Sequence, residues 1–110
     1  GRKSPIFTVF RPHITMQTMV VNIKPKDLVW EKYNREHIQK HGLTVNNIAT
    51  VLVHPDTFIG GDAKKGRFAI YGYCGSKAIL IFLSREGKGY YVASARPANK
   101  RERDYYESLQ

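Results

Sequence analysis

Basic side chains stand where this chain passes from one regular segment to the next. Arg67 opens a stretch of alternating hydrophobicity, Arg85 closes the following one and Arg96 closes a third, after which Lys100, Arg101 and Arg103 come within a few residues. A guanidinium stays charged and binds phosphate oxygens through a planar fork. Strand cleavage of RNA by its own 2′-hydroxyl needs an aligned phosphate, charge stabilisation as the phosphorane forms, and proton transfers. Arg67, Arg96 and Arg101 are candidates for the second task, since the ends of neighbouring strands and the helix after them can converge on one rim. Arginine is too basic to act as an ordinary general base, so His41 or a tyrosine of depressed pKa would have to move the proton. Lys40, Lys64, Lys65, Lys100 and Arg103 are candidate RNA contacts, and Tyr105 a candidate stacking surface. The competing reading is a solvated basic face with tyrosines that pack in the core and keep their hydroxyls at its edge.

Other constellations carry less. His37 and His41 have the i, i+4 spacing that lets two imidazoles reach one metal, but Glu36 precedes the first histidine and no third ligand is evident. The face they share with Trp30 and Ile38 also fits packing, so His41 is open between a core or interface role and RNA cleavage. Ser94 and Cys74 have no base at a diagnostic spacing. Gly60-Gly61-Asp62 followed by Lys64-Lys65-Gly66 reads as a flexible basic loop and lacks the order of a P-loop. No metal or cofactor is therefore expected.

The 110 residues suffice for one domain with one modest core. No apolar run approaches the roughly 18 residues that cross a bilayer. The basic start is not followed by a continuous apolar segment, which makes a poor signal peptide. One cysteine, Cys74, excludes an internal disulfide and fits a reducing cytoplasm. A net charge of +9 favours polyanionic partners. Five of those charges, Arg2, Lys3, Arg11, Lys24 and Lys26, lie in residues 1–26, which hold no acid.

The elements that must position these residues follow from periodicity. Ile6 to Phe10 and Met19 to Ile23 read as short strands around Arg11-Pro12-His13. Trp30, Asn34, His37, Ile38 and His41 share one helical face, which Gly42 ends. Thr44 caps a second helix with Val45, Ile48, Ala49 and Leu52 inward, ending near His54-Pro55. From Arg67 the period is two, with Phe68, Ile70, Gly72 and Cys74 on one side. Gly75-Ser76 turns into the all-apolar run Ala78 to Leu83, which is predicted to be central. Gly87-Lys88-Gly89 turns into a third strand, Tyr90 to Ala95. Asn99 and Glu102 form a capping box that opens a last helix to about Leu109. The expected class is α+β: two helices, a three-stranded antiparallel meander extended or not by N-terminal strands, and a C-terminal helix. Residues 1–26 form an extension or added strands, and 27–110 the main domain.

Several fragments in this order resemble the BrnT family of bacterial and archaeal toxin ribonucleases. They are Trp30, Lys40-His41-Gly42, Val51 to Pro55, Arg67 entering a strand that ends near Gly72, Ser94-Ala95-Arg96, and Glu102-Arg103-x-x-Tyr106. The resemblance covers about residues 28–107. It implies a fold similar to RelE and ParE toxins and a toxin that cleaves RNA without a metal and arrests translation. It also implies a cognate antitoxin with a ribbon-helix-helix DNA-binding domain, through which alone operator DNA would be met. A non-catalytic RNA-binding or antitoxin-docking module that helps repress its own operon is the alternative. One departure is that Lys64-Lys65-Gly66 stand where many family members carry an acid just ahead of the arginine matching Arg67.

Overall fold

The computed structural model describes the backbone of residues 6–11, 14–20, 23–54, 57–62 and 66–108, and side chains for 23–54, 57 and 66–108. Strands β1 (Ile6–Arg11) and β2 (Ile14–Val20) form a hairpin. A 3-10 turn at Pro25–Asp27 leads into a two-residue strand β3 (Leu28–Val29). Helices α1 (Lys32–Gln39) and α2 (Val45–Val53) come next. Strands β4 (Phe58–Asp62), β5 (Arg67–Cys74), β6 (Lys77–Glu86) and β7 (Gly89–Pro97) and helix α3 (Lys100–Ser108) complete the described chain. The strands make one mixed sheet in the order β2-β1-β4-β5-β6-β7-β3. The class is α+β, compatible with a RelE-like arrangement.

The β5-β6-β7 meander lies where the alternation placed it. Strand β6 is central and buried on both faces: Ile79, Ile81 and Leu83 join the core beneath α1 and α2, while Ala78 and Leu80 face α3. That two-sided burial is why its residues are apolar without alternation. The Thr44 hydroxyl accepts the Asn47 N–H at 3.2 Å and caps α2 as expected. Gly42, at φ 77°, supplies the left-handed residue that ends the first helical segment.

Two strands were not legible. The segment expected as a glycine-rich loop forms β4, which pairs antiparallel with β5 and parallel with β1. Ladder partners on both sides outweigh the poor strand propensity of Gly60 and Gly61. Strand β3 pairs with Tyr90 and Tyr91 across a gap so tight that a Cβ on Gly89 would sit 2.7 Å from the Asp27 carbonyl oxygen. The second N-terminal strand begins at Ile14, earlier than expected, with Ile14 paired to Arg11; Ile23 instead serves the core. Lys64, Lys65 and Leu109 lie outside the described residues.

A buried amide joins β3 to α1. Asn34 is fully buried; its Nδ2 donates to the Val29 carbonyl at 2.9 Å and its Oδ1 accepts the Glu31 N–H at 2.6 Å. Asn34→Ala leaves both backbone groups without these partners, and is expected to lower stability by about 1–3 kcal/mol in a denaturant melt. A melt indistinguishable from the parent would show that water replaces the amide at no cost.

Candidate functional site

The two faces of the sheet are covered unequally. Helices α1 and α2 pack on one face through Ile38, Ile48, Val51 and Leu52. Helix α3 lies on the other, where its Tyr106 and, just ahead of the helix, Ala98 pack against Tyr71, Ala78 and Leu80. Beyond α3 that face opens into a groove of about 300 Å³ lined by Arg67, Phe68, Ala69, Phe82, Leu83, Ser84 and Ala93. Arg67 stands opposite Ser84 on β6, and Arg96 opposite Leu80. Positions 80, 82 and 84 share a face by strand alternation, so the two arginines flank Phe82 on the same side of the sheet. They do not meet on one rim. Their register positions are four residues apart along β6, about 13 Å at ~3.3 Å per residue, because β5 and β7 run the same way and place their first and last residues at opposite ends.

Arg67 is exposed and makes no ion pair or side-chain hydrogen bond among the described residues; Asp62 is its backbone partner across β4. Arg96 is not free. Its Nη1 and Nη2 donate to Glu102 Oε1 and Oε2 at 2.7 and 2.6 Å, and its guanidinium carbon lies 5.7 Å from the centroid of the Phe82 ring. Glu102 also accepts the Asn99 N–H at 3.0 Å, while Asn99 Oδ1 accepts the Glu102 N–H at 2.8 Å. The expected capping box is present, but its glutamate also clamps Arg96. Arg96, expected to stabilise phosphate charge, is thus engaged by a carboxylate that compensates much of that charge. Lys100 pairs with Asp104 at 3.1 Å on an exposed surface, whereas Arg101 and Arg103 are exposed and unpaired among the described residues. Arg101 and the exposed Tyr105 share a helix face at i, i+4.

Tyr71, Tyr91 and Tyr106 are each shifted away from use as a base. The Tyr71 hydroxyl is pushed well above its ordinary range by burial and by its hydrogen bond with Tyr73, and burial raises Tyr106. Tyr71 and Tyr106 stack with centroids 5.1 Å apart and ring planes 7° apart, and Tyr73 donates to Glu107. These rings hold α3 down. Tyr105 touches Tyr106 edge-on and remains exposed.

His41 follows α1, which packs on the far face, so the sheet separates it from the groove. Its ring lies 5.8 Å from that of His37, and His37 Nε2 is 3.4 Å from Ser94 Oγ. Lys40 is exposed beside it. The four residues read as catalytic are thus dispersed: Arg67 at the groove, Arg96 in a clamp above it, Arg101 on α3 and His41 behind the sheet. The Ser94–His37 contact was missed because it joins residues 57 apart in sequence. Phe82, Ala69, Ser84 and Ala93 were missed because nothing in an apolar run marks the ring left uncovered.

Among the described residues no group of three or more His, Cys, Asp or Glu side chains could hold a metal ion, and no helix is long and apolar enough to cross a membrane. Comparison with protein-family models, curated proteins and solved structures returns no match to this chain.

The clamp makes a pH-dependent contribution. Arg96 holds the Glu102 carboxyl below the ordinary carboxylate range. A carboxyl ionised more readily in the folded state than in the unfolded chain stabilises fully above the unfolded pKa, and this is lost as pH falls through the lowered folded value. Glu102→Gln is expected to cost about 1–2 kcal/mol at pH 7, a figure discounted because the two side chains remain 35% and 22% exposed. The gap between variant and parent should close as pH falls below about 4. Melting curves from pH 7 to 3 check this, and a constant gap would show that the ion pair is not its source.

Proposed function

We propose that this chain is a BrnT-like toxin that engages single-stranded RNA on the open half of its sheet and cleaves it without a metal ion. The observation that carries the reading is the exposed guanidinium of Arg67, without an ion pair among the residues whose side chains are described, at the mouth of an apolar groove on the face where Arg96 covers part of the Phe82 ring. A cation next to apolar and aromatic surface matches the two halves of a nucleotide, phosphate and base. Arg67 would stabilise the charge that develops as the 2′-hydroxyl attacks, and Arg101 and Arg103 would hold flanking phosphates. Arrest of translation in the cytoplasm follows from such an activity, as does neutralisation by an acidic segment of a ribbon-helix-helix antitoxin that covers the basic surface and brings the chain to operator DNA.

The dispersion of the acid–base candidates favours a second reading, an RNA-binding or antitoxin-docking module without turnover. Proton transfer needs a group within hydrogen-bond reach of the reacting oxygen. His41 stands behind the sheet, and the shifted tyrosines are harder to ionise than usual.

Incubation of purified protein with RNA in EDTA separates the two. Under the first reading RNA is cut, Arg67→Ala slows cutting by about 10²–10³-fold with an unchanged melt, and Arg67→Lys restores part of it. His41→Ala is expected to leave turnover per folded molecule near the parent's. RNA that is retained in a salt-dependent manner but stays intact assigns the module. Activity abolished by EDTA and restored by a divalent ion rejects the metal-free mechanism.

A further inference from the structure

We infer that the open groove is a subsite for one unstacked nucleobase, with Phe82 as its stacking surface and Arg67 as the anchor of the adjoining phosphate. This rests on the proposed engagement of RNA and names what that face selects. From the register position of Arg67 towards that of Arg96 the sheet presents Ser84, Ala69, Phe82 and Ala93, small groups apart from the one ring. The floor is apolar enough to favour a planar heterocycle over a hydrated sugar. The β6–β7 ladder carries an additional residue here: Phe82 pairs with Ser94 and Leu83 with Val92, which leaves Ala93 unpaired in a bulge beside the ring. A bulky residue at that point would fill the groove, whereas alanine leaves it open.

The Phe82 ring is also held from one side. The Arg96 guanidinium lies over it, and Glu102 fixes that guanidinium through two hydrogen bonds. Ordering a stacking partner in advance removes entropy that binding would otherwise cost. Arg96 is accordingly a positioning residue for Phe82. A base paired in a duplex cannot present its face to the groove, so the subsite selects unpaired strands.

The test is calorimetry on the full chain with uridine and adenosine 3′-monophosphate, with inorganic phosphate as the anchor alone. Nucleotides are expected to bind at least about 10-fold more tightly than phosphate, the range that one base stacked on an aromatic ring supplies. Phe82→Leu and Ala93→Leu should each remove that advantage while phosphate affinity stays at the parent's value. The two variants act independently, since one deletes the ring and the other fills the groove from an exposed position. Nucleotides no tighter than phosphate, or either folded variant binding them as the parent does, would overturn the subsite. So would an acidic apolar peptide that displaces phosphate where no nucleotide does, an outcome that would make the groove a protein-docking surface. Cleavage is scored separately: nucleotides bound without RNA cutting leave the subsite standing and remove the enzyme, while parent-like cutting by both variants does the reverse.

Discussion

The bidentate pair between Arg96 and Glu102 ties the penultimate residue of β7 to the first turn of α3, and the exposed geometry of the sheet depends on that joint. Helix α3 has nine residues and buries none of them fully. A helix this short is marginal in water and must be held by its contacts. Its N-terminal end is fixed by the clamp and the Asn99 capping box, and its last turn by the stack of Tyr106 on Tyr71 and by Tyr73 on Glu107. These anchors lie towards the Tyr71–Leu80 end of the strands. Among the described residues the other end therefore stays open.

The opposite face shows what full coverage looks like. There α1 and α2 pack against a continuous apolar layer, and Gly72 lets α2 approach so closely that a Cβ would come within 2.8 Å of Val51 Cγ1. Such packing fixes the sheet as a rigid floor. On the α3 side the same floor presents Phe82 and a bulged Ala93 to solvent between two arginines of different standing. Arg67 is uncompensated among the described residues, whereas Arg96 is spent on Glu102 and Phe82. Two guanidiniums that look alike in the sequence therefore sit differently, one exposed and one held by a carboxylate beside an aromatic ring.

Most elements of the domain were legible because each carries a local signal. Thr44 and Asn47, Asn99 and Glu102, and the alternation from Arg67 to Cys74 all act over a few residues, and the structure holds them as expected. Strands β3 and β4 were not legible, since their pairing comes from segments distant in the chain and outweighs what Gly60 and Gly61 favour alone. The site was legible only in its residue types. That Arg67 and Arg96 share a face yet stand about 13 Å apart along the strands depends on the register of three strands. That His41 lies behind the sheet depends on which side of the sheet α1 crosses. Neither is written in spacing along the chain.

The half-open face beside α3, and not the α1–α2 side, is the proposed meeting place for nucleic acid. Amide chemical-shift mapping with a 2′-deoxy-substituted, uncleavable single-stranded RNA tests it most directly. The largest changes are expected at Arg67, Ala69, Phe82, Ser84 and Ala93, with smaller ones along α3 from Arg101 to Tyr105, all fading as salt rises. Changes centred on His37, His41 and Ser94, with the groove residues unmoved, would contradict it.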